Sequence, residues 1–361
     1  MIAVLGGGAG GLSSTVELVK AGHTVHLWNR NLARFDPYRA ECAIPYRGVL
    51  GSGRVEPALM TDDLRTALEG AEAVVVSLPS IAHPRLFADL AAERCDIPIV
   101  LNPGHTGGAL HLRTAFASVG APVPPVVEFS TLTYVARVDG DGTVNVTSRA
   151  GRVHAGALPG GTEALDWAKR LFPGAQAAPD VLASSLSNIN LVLHPPGAIL
   201  GAAWVEATGG DFTFYVDGVT PGVARLIEAL DAERLQVAES FGHHLPTLLE
   251  EMSSVGTVDP EAAASGHTLE AIRGGEANKA IRAPDSLQHR YYVEDFAFGL
   301  LPFTALAVVA GVDVPVAESL LKVGEVLLGS DLTERGLNAK RLGIDGLTRT
   351  ALMASVRTET T

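Results

Sequence analysis

Cysteine is nearly absent from this chain. Cys42 and Cys95 are the only two in 361 residues, and neither belongs to a C-x-x-C pair, so no local zinc or dithiol motif is present. Two isolated cysteines suit reduced thiols, and a cytoplasmic location is expected. Positive charge is also scarce, with 27 Lys and Arg against 40 Asp and Glu and a formal net charge of −13. Nucleic acids and anionic membranes both need clustered cations, so neither is expected as a partner. An anionic small molecule needs only one or two local arginines and stays open. Lysines number five, at 20, 169, 279, 322 and 340. The longest apolar run, Phe296 to Val312, is interrupted by Gly299, Pro302 and Gly311. It falls short of the roughly 20 residues of a membrane span and reads as a buried core helix with a break. The first apolar strand starts at residue 2, so no signal peptide is expected. Charged residues make up 19% and hydrophobic residues 47%, the balance of a packed globular protein. The length allows two domains.

What is abundant is glycine, and its placement matters most at the start. Residues 2–12 read Ile-Ala-Val-Leu-Gly-Gly-Gly-Ala-Gly-Gly-Leu. Four apolar residues predict a buried strand, and Leu12, Val16, Leu18 and Val19 predict a helix. Gly6, Gly8 and Gly11 between them carry the G-x-G-x-x-G spacing. The first permits a tight turn, the second lets backbone approach a pyrophosphate, and the third lets helix pack on strand. Free N–H groups at the helix start, including those of Ala9 and Gly10, favour an anion.

The next strand, His23 to Trp28, ends in Asn29-Arg30-Asn31. A site for NAD usually has Asp or Glu about 20 residues after the glycines, holding the ribose 2′-hydroxyl. Here the first carboxylate after the strand is Asp36. Arg30 offers a cation to a 2′-phosphate and Asn29 a neutral hydrogen-bonding group. NADP(H) is therefore the expected cofactor, with NAD as the alternative.

Strand and helix signals alternate through the first half. An irregular loop is expected over 36–48, a weak strand near Ala58–Met60, and strands at Ala73–Ser77, Ile97–Leu101 and Val126–Phe129. This alternation predicts a parallel, doubly wound sheet of Rossmann type. Ligands then bind outside the carboxyl ends of the strands, where strand order reverses. Loops 6–11, 77–84 and 102–108 are expected there, adding Ser77, Pro79, Asn102 and Pro103 to the cofactor contacts. Residues 134–157 read as an antiparallel excursion with a turn at Asp139-Gly140-Asp141-Gly142. That turn lacks the later ligands of a calcium loop, and no metal site is expected. Beyond about Pro179 helical periodicity takes over. The expected plan is a dinucleotide-binding domain over 1–178 and an all-helical domain over 179–361.

Two helical segments carry candidate chemistry. Ser187-Asn-Ile-Asn-Leu-Val-Leu-His194-Pro-Pro-Gly197 places a histidine between an amide-bearing apolar helix and two prolines. His289-Arg-Tyr-Tyr-Val-Glu294-Asp295-Phe-Ala-Phe-Gly299 drives two adjacent carboxylates into an apolar run. At least one must turn inward, and a buried Asp needs a partner. A histidine is the obvious one, although position alone does not single out His194 among eleven histidines.

With these segments in view, nearly the whole chain resembles the octopine/nopaline family of opine dehydrogenases. The resemblance rests on the glycine motif, on Asn-Pro-Gly-x-Thr-Gly-Gly at 102–108 and on Glu128-Phe-Ser-Thr-Leu-Thr-Tyr134. It continues through Ser-Asn-Ile-Asn-x-x-x-His-Pro at 187–195 and Leu287-x-His-Arg-Tyr-x-x-Glu-Asp-x-x-x-Gly299. It implies a dinucleotide domain plus a helical domain with the active site in the cleft. It implies His194 and Asp295 as the catalytic pair, and Thr131 or Thr133 as a hydroxyl on the oxo acid. His105 stands where a different polar residue is expected. The implied reaction joins an amino acid to a 2-oxo acid through an imine, which NAD(P)H reduces to a secondary amine dicarboxylate. Asn190 joins the expected substrate contacts. Arg290 is the best candidate carboxylate anchor, ahead of Arg282 and Arg137. The expected partners are these small molecules, and a homodimer is left open.

Two other readings compete. Ketopantoate- and glycerol-3-phosphate-type reductases share the glycine motif and the two-domain plan but use a lysine in the helical domain, where Lys279 is the one plausible candidate. A catalytically silent NADP(H) sensor would have no reason to pair an aspartate in an apolar helix with a histidine. The cofactor assignment is testable directly. Arg30→Ala should raise KM for NADPH far more than for NADH, because a guanidinium pairs well with a 2′-phosphate. An unchanged ratio of the two KM values contradicts the assignment.

Overall fold

The computed structural model describes residues 1–357. They form two compact units, residues 1–104 with 115–181, and residues 105–114 with 182–357.

The first unit has twelve short strands. They are β1 (Ile2–Leu5), β2 (Val25–Trp28), β3 (Ile44–Gly48), β4 (Gly53–Val55), β5 (Leu59–Thr61) and β6 (Ala73–Val76). Then come β7 (Ile99–Leu101), β8 (Val126–Phe129), β9 (Tyr134–Val138), β10 (Val144–Arg149), β11 (Val153–Ala157) and β12 (Ala175–Ala177). Eight of them make one sheet in the order β12-β11-β8-β7-β6-β1-β2-β5. From β5 to β8 every pairing is parallel, and β11 adds antiparallel to β8. Strands β1 and β6 are buried at every position, as in sheets covered on both faces. Strand order reverses between them, which fixes the ligand crevice of a doubly wound sheet at their carboxyl ends.

A second sheet, β4-β3-β10-β9, is where the expectations need correcting. Residues 36–48 are not irregular, since they form a helical turn, Asp36–Arg39, and β3. Ile44 and Tyr46 alternate inward there, a period-2 signal that Pro45 obscures. Nor is 134–157 one excursion. Strands β9 and β10 pair antiparallel in the small sheet, whereas β11 pairs with β8 in the large one. The helix Ala9–Lys20 packs against both β1 and the small sheet, which explains why small residues fill it and Ser13, Ser14 and Thr15 are buried. Its Glu17 accepts a 2.6 Å bond from the Tyr134 hydroxyl and pairs with Arg149 at 2.7 Å.

The second unit is helical. Its long elements are Asn190–Thr208, Pro221–Ser240, Leu301–Ala310 and Pro315–Leu328. Among the described residues after β12 there is no strand, only the isolated bridge Thr213–Arg282. The segment 105–114, expected in the first domain, groups with this unit because its partners lie here. Gly107 N–H donates to Ser185 Oγ at 3.0 Å, Asn188 Nδ2 to Thr106 Oγ1 at 3.1 Å, and Arg113 Nη1 to the Ser355 carbonyl at 2.9 Å.

The apolar run ending at Val312 also needs correction. The helix begins at Arg290, so it spans 21 residues to Ala310 and holds an 18-residue window of mean hydropathy 1.7, long and apolar enough to cross a membrane by those measures. Within it, 72% of the apolar window is buried inside the protein, as in a core helix. It contains a π turn, Phe296–Leu300, in which Leu300 N–H bonds back to the Asp295 carbonyl at 2.8 Å. Pro302 accounts for the wide turn, because it has no N–H for the Phe298 carbonyl and its ring crowds that group.

His111, in the helix Gly108–Ser118, is buried. Burial, with the Arg341 guanidinium as the lesser cause, pushes its pKa down to about 4. Unfolded, it titrates near 6.5, so only the unfolded state gains a proton between pH 6.5 and about 4. Its contribution to stability is complete above pH 6.5 and is lost as pH falls toward the folded value, a change of about 3 kcal/mol. Denaturant titrations of His111→Gln should show a flatter pH dependence over that window. A slope equal to the wild type's contradicts the assignment.

Candidate active site

The glycine loop in the first unit has the properties an anion cradle requires. Gly6 adopts φ +137°, and a Cβ there would lie 2.3 Å from the Ser77 carbonyl. A Cβ on Gly11 would lie 1.8 Å from the Gly6 carbonyl. These two glycines close the β1 loop onto the β6 loop and onto its own helix. Gly8 differs, because a Cβ there meets nothing within 4 Å. It starts the Ala9–Lys20 helix with no side-chain cap and no acidic residue in the first turn. The helix thus presents N–H groups, a favourable dipole and open space together, and the residues present fit a dinucleotide diphosphate.

The other expected cofactor residues divide by what they touch. Asn29 braces the loop, its Oδ1 accepting from Gly7 N–H at 3.1 Å and its Nδ2 donating to the Asn31 carbonyl at 2.9 Å. Arg30 is exposed at the end of β2. Arg34, which the sequence reading missed, donates from Nε to the Gly7 carbonyl at 3.3 Å and so brings a guanidinium to the glycine loop. Ser77 Oγ lies 3.2 Å from Ser14 Oγ, and Pro79 is exposed after it. Asn102 precedes Pro103 and is buried. Its Nδ2 donates to Thr133 Oγ1 at 2.9 Å and its Oδ1 accepts from Thr133 N–H at 3.1 Å. Of the two threonines, Thr133 is thereby buried and bonded, while Thr131 is half-buried.

In the second unit, His194 and Asp295 meet although 101 positions separate them. Nδ1 lies 2.7 Å from Oδ2, and both residues are buried. Helix Asn190–Thr208 carries the histidine just before Pro195 and Pro196, and Asn190 stands one turn earlier on the same helix. Asp295 immediately precedes the π turn. Three aromatic rings surround the imidazole. Tyr291 stacks on it with centroids 3.8 Å apart, Phe214 meets it edge-on, and the Tyr215 hydroxyl lies 2.8 Å from Nε2.

Glu294 is buried as deeply as Asp295, so both carboxylates turn inward. One oxygen lies 3.4 Å from His105 Nε2 and the other 3.2 Å from Arg290 Nε. His105, at φ +58°, is also buried. Burial holds its pKa below the usual imidazole range, with the Glu294 charge opposing that shift. Arg290 is half-exposed. Glu294 thus faces one guanidinium and one imidazole, and Asp295 faces a second imidazole. Besides Arg34, the sequence did not single out Tyr215 or Glu294 as site residues. Glu294 was visible as half of the acidic pair. The signal for Tyr215 is the aromatic cluster Phe212, Phe214, Tyr215 inside a Gly- and Asp-rich turn. Among the described residues, no group of three or more His, Cys, Asp or Glu gathers as metal ligands do.

A doubly wound dinucleotide fold, followed by helices that bury a histidine–carboxylate pair, defines a nicotinamide-dependent oxidoreductase. Comparisons with known proteins narrow this class. Residues 177–328 match the family described as NAD/NADP octopine/nopaline dehydrogenase, alpha-helical domain. An opine dehydrogenase of Arthrobacter sp. (strain 1C) is 31% identical over 357 residues, 98% of each chain. An octopine dehydrogenase solved with NADH and L-arginine matches with a TM-score of 0.76 at 19% identity, covering 100% of this chain and 99% of that one. A yersinopine dehydrogenase with bound NADP+ matches at 0.69 and 14%, covering 97% and 94%. The chain belongs to the opine dehydrogenase family and is an NAD(P)-dependent oxidoreductase acting on CH–NH bonds.

The glycine geometry separates folding from binding. Gly11→Ala should destabilise the protein by about 1–3 kcal/mol, because backbone rather than a flexible side chain must give way. Gly8→Ala should leave stability within about 0.5 kcal/mol yet weaken NADPH binding measured by fluorescence titration. Equal thermal losses in the two variants contradict this division.

Proposed function

We propose that the protein joins the amine of an amino acid to the carbonyl of a 2-oxo acid and reduces the resulting imine to a secondary amine dicarboxylate. NADPH is the preferred reductant. The observation that carries the mechanism is the buried 2.7 Å contact between His194 Nδ1 and Asp295 Oδ2, which leaves Nε2 as the nitrogen for proton exchange.

Asp295 accepts from Nδ1–H, fixes the tautomer and stabilises the imidazolium, as carboxylates do in other histidine pairs. The imidazolium supplies the proton for carbonyl polarisation and for loss of water. In the oxidative direction neutral His194 takes the proton from the secondary amine. Bound nicotinamide would supply the hydride, with Gly8, Ala9, Gly10 and Gly11 holding the diphosphate and Arg30 and Arg34 the 2′-phosphate. Arg290 commits Nε to Glu294, and its half-exposed guanidinium keeps donors for a substrate carboxylate. Thr131 is the better candidate for the oxo-acid hydroxyl contact, since Thr133 Oγ1 is bonded to Asn102. Asn190 faces the same side of its helix as His194.

The reductase reading is weakened by Lys279, which lies on a short helix and pairs with Glu276 three residues away. The silent-sensor reading is weakened by the histidine–aspartate contact itself. A matrix of amines and 2-oxo acids, assayed for NADPH and NADH oxidation, tests the proposal. Oxidation should require both substrates. Turnover with the oxo acid alone would favour a simple reductase. With a coupled pair, His194→Ala should lower kcat by about 10²–10⁴-fold and leave NADPH affinity nearly intact. Asp295→Asn should act in the same way, and the double variant should be far from additive. A fully active His194→Ala enzyme removes the mechanism.

A further inference from the structure

Both ring nitrogens of His194 are occupied by protein. Nδ1 faces Asp295, and Nε2, the nitrogen left for the reaction, lies 2.8 Å from the Tyr215 hydroxyl. A proton donor whose working atom is capped by another hydroxyl either loses that cap when substrate arrives or works through it. The packing of Tyr215 favours the second. Its neighbour Phe214 fills the space left by Gly197, where a Cβ would come within 2.8 Å of the ring. Phe214 N–H donates to the Ile281 carbonyl at 2.9 Å, and Thr213 bridges to Arg282. Thr213 Oγ1 also donates to Asp217 at 2.7 Å, closing the turn that carries the tyrosine. Tyr215 is itself buried, and the Tyr291 hydroxyl is a further hydrogen-bond partner. The hydroxyl is thus held from several sides.

We propose that Asp295, His194 and Tyr215 form one proton relay, in which the Tyr215 hydroxyl is the atom that meets the substrate's carbonyl oxygen. The proposal rests on the reading that His194 and Asp295 serve acid–base chemistry. In the addition step the amine lone pair forms the C–N bond and the C=O π pair moves to oxygen. That oxygen takes the hydroxyl proton of Tyr215, and Tyr215 takes the Nε2 proton of His194. Imidazolium becomes neutral imidazole with Nδ1–H still on Asp295. The new positive charge sits on the substrate nitrogen, which releases its proton to water to give the carbinolamine. Burial first, then neighbouring Tyr291, hold the Tyr215 pKa far above the usual phenol range. The phenol therefore passes a proton in and out together and does not ionise between the two transfers.

The experiment is Tyr215→Phe in the full chain, with near-ultraviolet circular dichroism and a thermal melt to verify the fold. Activity is measured on an amine and oxo acid that the wild type couples. The relay predicts a loss of about 10²-fold in kcat, with NADPH affinity unchanged. It also predicts that the wild type's single-turnover rate curves with deuterium fraction, as two moving protons require, and that the variant's rate falls linearly. A Tyr215→Phe enzyme with near-wild-type kcat, alongside an inactive His194→Ala enzyme, overturns the relay and leaves the His–Asp mechanism standing. If both variants stay active, the His–Asp mechanism fails as well. If the phenylalanine variant does not fold, the wild-type measurement decides alone, since a linear dependence overturns the relay.

Discussion

A carboxylate in the middle of an apolar helix has to be neutralised where it stands. An unpaired buried charge costs several kcal/mol, and Asp295 sits where the helix Arg290–Ala310 enters the core. His194 Nδ1 at 2.7 Å is its partner, and much of the second unit's local design serves that contact. Pro302 opens the π turn that follows the aspartate. Gly299 lets this helix approach Leu191, where a Cβ would come within 3.2 Å of the Leu191 Cβ. The turn carrying Phe214 and Tyr215 closes over Gly197. Glu294 repeats the problem one residue earlier and is met by Arg290 and His105.

The fold was legible in the sequence wherever one physical demand acted alone. Buried parallel strands show as unbroken apolar runs, so β1, β6 and β8 stand out. The glycine spacing shows because each glycine answers a separate steric need. The histidine and aspartate are legible through their rarity in apolar helices and through family resemblance. Legibility failed where demands overlapped. Pro45 hid the alternation of β3, and the turn at 139–142 suggested one hairpin system where the chain in fact serves two sheets. The aromatic cluster marks the turn that holds Tyr215, but not its contact with Nε2 of a residue 21 positions away. Position alone also could not show that Asn102 and Thr133 satisfy each other.

At the glycine loop, Asn29 is first of all a structural residue. Asn29 occupies the position where an acidic side chain would address a ribose, yet both ends of its amide are spent on the loop itself. An aspartate there could accept from Gly7 N–H but could not donate to the Asn31 carbonyl. The absence of a carboxylate at this position is thus tied to how the glycine loop is braced.

The grouping of residues 105–114 with the helical unit bears on how such proteins can be recombined. The chain leaves the first unit after Gly104, contributes ten residues to the second, and returns at Ala115. An exchange of nucleotide-binding halves between relatives, cut once near 181, would carry this segment along with the donor half. The recipient would lose its own match for Ser185, Asn188, Glu294 and Ser355. The two halves are therefore not independent modules for evolution by shuffling. Changes at 105–114 must be accepted by the helical half, and cofactor preference is more readily altered by substitution around the glycine loop than by exchange of a whole domain.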